Sequence, residues 1–159
     1  MTVLGVIAGG GELPQAVAQS ARREGRDVFV LAVRGMAGDW ADDFPHERIS
    51  LGEVGRAFKA FANAGVGPVV MAGRIDRPDF GDIKLDLRGT LLLPKIVSAA
   101  RKGDDALLRS VVDIFAAEGF TAISVAAAAP GLIAAEGPLG RLSPNADHHD
   151  DIAAGFRIV

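Results

Sequence analysis

The chain has 159 residues, 49% of them hydrophobic and 23% charged, with a formal net charge of -3. That length and balance imply about one globular domain able to bury its own core, and they exclude wholesale disorder. The slight negative charge disfavours nucleic-acid partners, and the absence of cysteine removes disulfides, thiolate nucleophiles and cysteine-based zinc sites.

In chain order, Val3–Ala8 is an apolar run that stops at Gly9-Gly10-Gly11. It is too short for a signal peptide and lacks a cationic flank, so it predicts a first buried strand. Leu13, Val17 and Ala21 then fall at helical spacing, with Pro14 in the first turn and Gly25 as a stop beyond Arg22-Arg23. Val28–Val33 predicts a second strand, and Ile49-Ser50-Leu51 a short third one. Val54, Phe58 and Phe61 mark a helix that Gly65-Val66-Gly67 breaks, before a fourth strand at residues 68–72. Helical patterning resumes over residues 90–100. Lys102-Gly103-Asp104-Asp105 interrupts it, and a further helix carries Leu107, Leu108, Val111, Val112 and Phe115. Gly119 closes that helix ahead of a fifth strand at residues 121–125.

Uniformly apolar strands alternating with helices predict an α/β fold, a Rossmann-like parallel sheet with helices on both faces, over residues 1–126. Residues 127–159 read as a linker punctuated by Pro130, Gly131, Gly137, Pro138, Gly140 and Pro144, followed by a terminal helix through Ile152 and Phe156. Asn145 or Asp147 is the expected cap of that helix. Its apolar end reads either as the start of a truncated carboxy-terminal domain or as a tail docking back on the sheet domain. No segment approaches the ~20 apolar residues of a membrane span, which predicts a soluble protein.

The strongest local motif is Gly9-Gly10-Gly11-Glu12-Leu13-Pro14. Glycines between a strand and a helix let the backbone approach a phosphate, and the first free amides of the helix face that anion. A tight turn with no ligand is the plainer alternative. The dinucleotide fingerprint fails, because Pro14 stands at its third glycine and Arg34 where an acidic residue would hold the ribose. Gly73-Arg74 follows the fourth strand, where ligands of open parallel sheets bind, and Arg74 and Arg77 can pair with phosphate. In the turn Lys102-Gly103-Asp104-Asp105, the aspartates suit the positive end of a helix, Asp104 as N-cap, and Lys102 is the ligand candidate. Asp147-His148-His149-Asp150-Asp151 tempts a metal assignment, but adjacent histidines on a helix diverge by about 100° and share one ion poorly. No Gly-x-Ser-x-Gly nucleophile elbow occurs, and Trp40 alone with no tyrosine leaves little for base stacking.

The opening Leu4-Gly5-Val6-Ile7-Ala8-Gly9-Gly10-Gly11-Glu12-Leu13-Pro14 resembles the amino terminus of the LpxI family. Leu51-Gly52-Glu53-Val54-Gly55, Ala72-Gly73, Arg77-Pro78-Asp79-Phe80, the stretch from Ala99 to Arg109, Gly119-Phe120 and Gly140-Arg141-Leu142-Ser143-Pro144 continue the match in register. The resemblance implies a UDP-2,3-diacylglucosamine pyrophosphatase that yields lipid X and UMP in lipid A biosynthesis, water attacking the α-phosphorus. It also implies a divalent ion, Mg2+, in the complete enzyme. Gly9, Gly10, Gly11, Leu13, Gly73, Arg74, Lys102, Gly103 and Asp104 are then this domain's wall of the substrate cleft, with the metal ligands unassigned.

The family's catalytic aspartate lies in a carboxy-terminal domain beyond this chain, so the chain alone is expected to bind weakly and not to turn over. Arg74 stands where relatives often carry an uncharged residue, and alanines fill residues 126–129 where they carry polar ones. A cytoplasmic location is implied, with peripheral contact at the inner membrane and homo-oligomerisation left open. A non-catalytic domain that senses a nucleotide or nucleotide sugar is the alternative function.

Overall fold

The computed structural model of the chain describes residues 2–75, 85–135, 137 and 140–158. Strands β1 (Val3–Ala8), β2 (Val28–Val33), β3 (His46–Ile49), β4 (Val66–Ala72) and β5 (Thr121–Ala122) are connected by helices α1 (Leu13–Arg23), α2 (Val54–Asn63), α3 (Leu87–Ala100) and α4 (Asp104–Ala117). Helices α5 (Val125–Ala128) and α6 (Ala146–Ile158) follow. Every strand pair is parallel, in the order β3-β2-β1-β4-β5. This is the expected α/β sheet with helices on both faces.

Alternation along the central strands divides the core in two, because successive side chains leave opposite faces of a sheet. Leu4, Val6, Ala8, Val30 and Ala32 pack with Val17, Ala18 and Ala21 of α1, and with Ala128 and Ala129 beyond β5. Ile7, Leu31, Val33 and Val69 pack on the other face with Phe58 and Phe61 of α2 and with Ile114, Phe115 and Phe120 around α4. The phenylalanines interlock, Phe58 against Phe115 edge-on at 5.1 Å and Phe61 against Phe120 at 5.6 Å. Each such buried ring contributes about 1.5–3 kcal/mol by leaving water.

Four boundaries differ from the sequence pattern, each for a local reason. β3 runs earlier than the expected 49–51, because His46 to Ile49 pair with Val30 to Val33. On this edge strand the polar His46, Glu47 and Arg48 are tolerated. β4 begins at Val66, since two residues of β1 face three of β4 and the extra one is absorbed beside Pro68, which has no amide to pair. α3 begins at Leu87 rather than Thr90 because Asp86 caps it. β5 stops after Ala122, because Ser124 accepts a hydrogen bond from the Ala127 amide and starts α5. The alanine run thereby enters the α1-side core, and packing continues to Leu132, beyond the division expected at residue 126. Asn145 caps α6 through its side chain, which accepts from the His148 amide, and no residue of α6 is buried. No helix among the described residues is long and apolar enough to cross a membrane.

Candidate functional site

The strand order places a topological switch between β1 and β4. The chain leaves β1 into α1 on one face and leaves β4 toward α3 on the other, the position where open parallel sheets bind ligands. The two loops at this point are joined to each other. Gly9 donates to the Ala72 carbonyl at 2.9 Å, Gly10 donates to the Arg74 carbonyl at 2.8 Å, and the Arg74 amide returns a bond to Gly10 at 2.9 Å. A side chain at Gly9 would stand 2.4 Å from the Arg74 carbonyl oxygen. At Gly73, φ is +87°, and an added Cβ would meet the Gly10 carbonyl at 2.6 Å and Pro14 at 2.7 Å.

The amides of Gly9 and Gly10 do not face a ligand, because the neighbouring loop consumes them. The donors that remain are one step further on. Among the described residues, the amides of Gly11, Glu12 and Leu13 donate to no protein acceptor, and Gly11 has φ +92° with open space where a Cβ would be. No side chain caps α1, and Leu13 is exposed. Pro14 lacks only an amide that the first helical turn would leave unpaired anyway. An uncapped, exposed helix start of this kind attracts an anion through its free amides and the positive end of the helix dipole.

Arg74 is exposed beside this helix start, on the bridge to Gly10. Arg77, Pro78, Asp79 and Phe80 lie outside the described residues. Arg34 is not aimed at a ligand. It donates twice to the Arg48 carbonyl, at 3.1 and 2.9 Å, and ties β2 to the edge strand.

The third candidate turn departs from expectation. Gly103, with φ +116°, is the N-cap of α4, so Asp104 is its first helical residue rather than its cap. Asp105 pairs with Arg109 one turn on, which raises the Arg109 pKa. No hydrogen bond or ion pair among the described residues joins Lys102 or Gly103 to the glycine loop. Asp104 and Ile75 do line one cavity of about 510 Å³ beneath the carboxyl edge of the sheet. That space is partly open to solvent rather than an enclosed void.

Sequence patterning missed this cavity, and it missed Asp86. The Asp86 carboxylate accepts from the Gly89 amide at 2.7 Å and from the Arg56 amide at 3.1 Å, so one side chain caps both α3 and α2. The Asp86 amide in turn donates to the Gly52 carbonyl at 3.1 Å. Asp86 directly before Leu87 is an N-cap signal readable in sequence for α3; the second helix is not. Glu53 accepts from the Ser50 amide at 2.7 Å and from Arg56, and these bonds hold its carboxyl below the usual range, the amide foremost. The block Leu51-Gly52-Glu53-Val54-Gly55 thus organises helix starts. Among the described residues no three His, Asp or Glu side chains are grouped to share an ion, His148 and His149 included.

The model of the LpxI N-terminal domain matches residues 3–132. The chain belongs to the LpxI family. It is 41% identical over all 159 residues to the UDP-2,3-diacylglucosamine pyrophosphatase LpxI of Caulobacter vibrioides, and it spans 57% of that relative's length. The matched region ends at Leu132, the last of the described residues packed against the α1-side core.

Proposed function

We propose that this chain is the substrate-holding half of an enzyme that hydrolyses UDP-2,3-diacylglucosamine to lipid X and UMP, a step of lipid A biosynthesis. The observation that carries this reading is the start of α1, where among the described residues the amides of Gly11, Glu12 and Leu13 have no protein acceptor, beside Gly73-Arg74 at the switch point. A diphosphate placed there gains several oriented donors without any rearrangement of the loops, because the Gly10–Arg74 bridge already fixes them. Gly9 and Gly10 act as the scaffold of that subsite. Asp104, at the start of α4, lines one cavity with Ile75, and Lys102 and Gly103 directly precede it in the chain.

The rest of the chemistry belongs to a second, carboxy-terminal domain of a longer protein. That domain would bring the catalytic aspartate, with a divalent ion, Mg2+, in the complete enzyme. The enzyme is proposed to work in the cytoplasm, at the face of the inner membrane where its acylated substrate resides. Positioning alone does not cleave a diphosphate. Losing oriented groups and charge stabilisation costs thousands-fold in rate, on the order of 4 kcal/mol or more.

The test is a titration of the isotopically labelled chain with UMP and with UDP-N-acetylglucosamine. The amides of Gly11 and Leu13 are expected to shift, with smaller movements at Gly73. Absence of any shift at millimolar ligand would remove the subsite. Hydrolysis in 18O-water by a longer protein carrying both domains locates the attack. Label in UMP marks the α-phosphorus, and label in the lipid phosphate moves it to the β-phosphorus. Binding without hydrolysis by that two-domain protein would favour a nucleotide-sensing module instead.

A further inference from the structure

Helix α3 is apolar on both sides. Leu92 and Ile96 pack inward against the sheet-side core. On the outer side, Leu87 is 79% and Leu91 70% exposed, one turn apart on the same face. Pro94 and Ser98 continue that exposed line toward the end of the helix. A helix on the surface of a domain normally turns polar side chains outward. An outer line that begins with two exposed leucines therefore marks a contact with something beyond the domain's own core.

The charges around that line indicate what the contact is with. Residues 87–102 hold Arg88, Lys95, Arg101 and Lys102 and no acidic residue, although the chain as a whole is net negative. At about 100° per residue, Arg88 and Lys95 fall on one flank of the Leu87–Leu91 line and Arg101 on the other. All four cations are exposed. Arg88 pairs with Glu118, whereas Lys95, Arg101 and Lys102 have no carboxylate partner among the described residues. An apolar crest between cationic flanks suits the boundary of an anionic bilayer, where leucines enter below the headgroups and cations meet the phosphates. Helix α6 makes the contrast. Its Ile152 and Phe156 are also exposed, but Asp147, Asp150 and Asp151 share the helix and would be repelled by the same surface. A second copy of the chain fits the α3 face less well, because a symmetric contact would crowd the same unpaired cations together.

We propose that the outer face of α3 is a membrane-docking surface, on which Leu87 and Leu91 enter an anionic lipid leaflet and Lys95 and Arg101 meet its headgroups. The proposal extends the function given above, which puts the enzyme at the membrane face, by naming the part of the domain that touches the bilayer. Two leucines and a few cations give a reversible attachment rather than an anchor. Its strength should rise with the anionic content of the leaflet and fall with salt.

The experiment is flotation of the chain with vesicles of phosphatidylcholine alone and of an equal mixture of phosphatidylcholine and phosphatidylglycerol. Binding to the mixed vesicles should exceed binding to the neutral ones by at least about tenfold and should weaken in high salt. Leu91→Glu should cut binding at least about tenfold with the thermal midpoint kept, because that side chain is already in water. Leu87→Ser makes the same test if the glutamate variant does not fold. Lys95→Ala should cost about fivefold, and Phe156→Ser on α6 should change nothing. Equal binding to both vesicles, no binding to either, or a loss with Phe156→Ser as large as with Leu91→Glu overturns the docking surface. So does a two-domain protein that stays off the mixed vesicles, because the second domain then covers the face. Self-association that Leu91→Glu abolishes, without vesicle binding, assigns the face to a second copy instead. Titration with UMP, read at the Gly11 amide without lipid, tests the headgroup subsite separately. Shifts at Gly11 without vesicle binding sink the docking surface alone, and vesicle binding without those shifts sinks the subsite alone.

Discussion

Helices α1, α2 and α3 all begin at the carboxyl edge of the sheet, yet their first turns are treated in opposite ways. The starts of α2 and α3 are closed by one carboxylate, Asp86, which accepts from Arg56 and Gly89. The start of α1 has no side-chain cap, and the space around Gly11 is open. Helix amides left unpaired are a cost that proteins normally remove with a cap worth about 1 kcal/mol. The fold removes that cost at two starts and retains it at the switch point, where a ligand's oxygens can take the place of the cap. The same edge thus separates a structural junction from a receptive one.

Four measurements break or sharpen that contrast. The largest effect is expected from Gly73→Ala, which forces an L side chain into φ +87° and against the Gly10 carbonyl at 2.6 Å. Together these cost about 3 kcal/mol, read as a fall in the urea midpoint. Asp86→Ala uncaps two helices and is expected to lose about 2 kcal/mol, while UMP affinity stays within about twofold of the parent. A large loss of UMP affinity in Asp86→Ala would erase the distinction between the two kinds of helix start. Gly11→Ala meets no atom and pays only for its left-handed backbone, about 1–2 kcal/mol. Its larger consequence should be weakened UMP binding, visible by calorimetry, because the first free amide is reoriented.

The smallest effect is acid sensitivity at the α2 start. The folded-state pKa of Glu53 is depressed, by the Ser50 amide first and Arg56 second. Its contribution is therefore present above the ordinary carboxylate pKa and is lost as pH falls through the folded-state value. Glu53→Gln should therefore lose a small amount of stability at pH 7, with the gap to the parent closing as pH falls below about 4.5.

Local patterns in the chain carried most of the fold. The apolar runs at Val3–Ala8 and Val28–Val33 and the spacing of Leu13, Val17 and Ala21 announce β1, β2 and α1 because each depends on its own period. What escaped depends on partners far along the chain. The start of β3 is decided by pairing with β2, and Asp86 reaches an amide 30 residues away. The glycines were half legible. A run such as Gly9-Gly10-Gly11 declares that something approaches the backbone closely, but not what. At Gly9 and Gly10 it is the Gly73-Arg74 loop, and only at Gly11 is the approach left open. The cavity escaped for a related reason: Leu92, Ile96 and Val111 have the helical spacing of a core face, and spacing is silent about whether that face closes.

The reciprocal bonds between Gly10 and Arg74 act as a clasp. Neither amide can meet solvent until both bonds part, so deuterium should enter Gly10 and Arg74 through one shared opening event, with Gly11 labelled far sooner. A ligand seated on α1 would slow that opening. The exchange rate of the Arg74 amide would then report occupancy from the neighbouring loop, without any probe attached to the ligand.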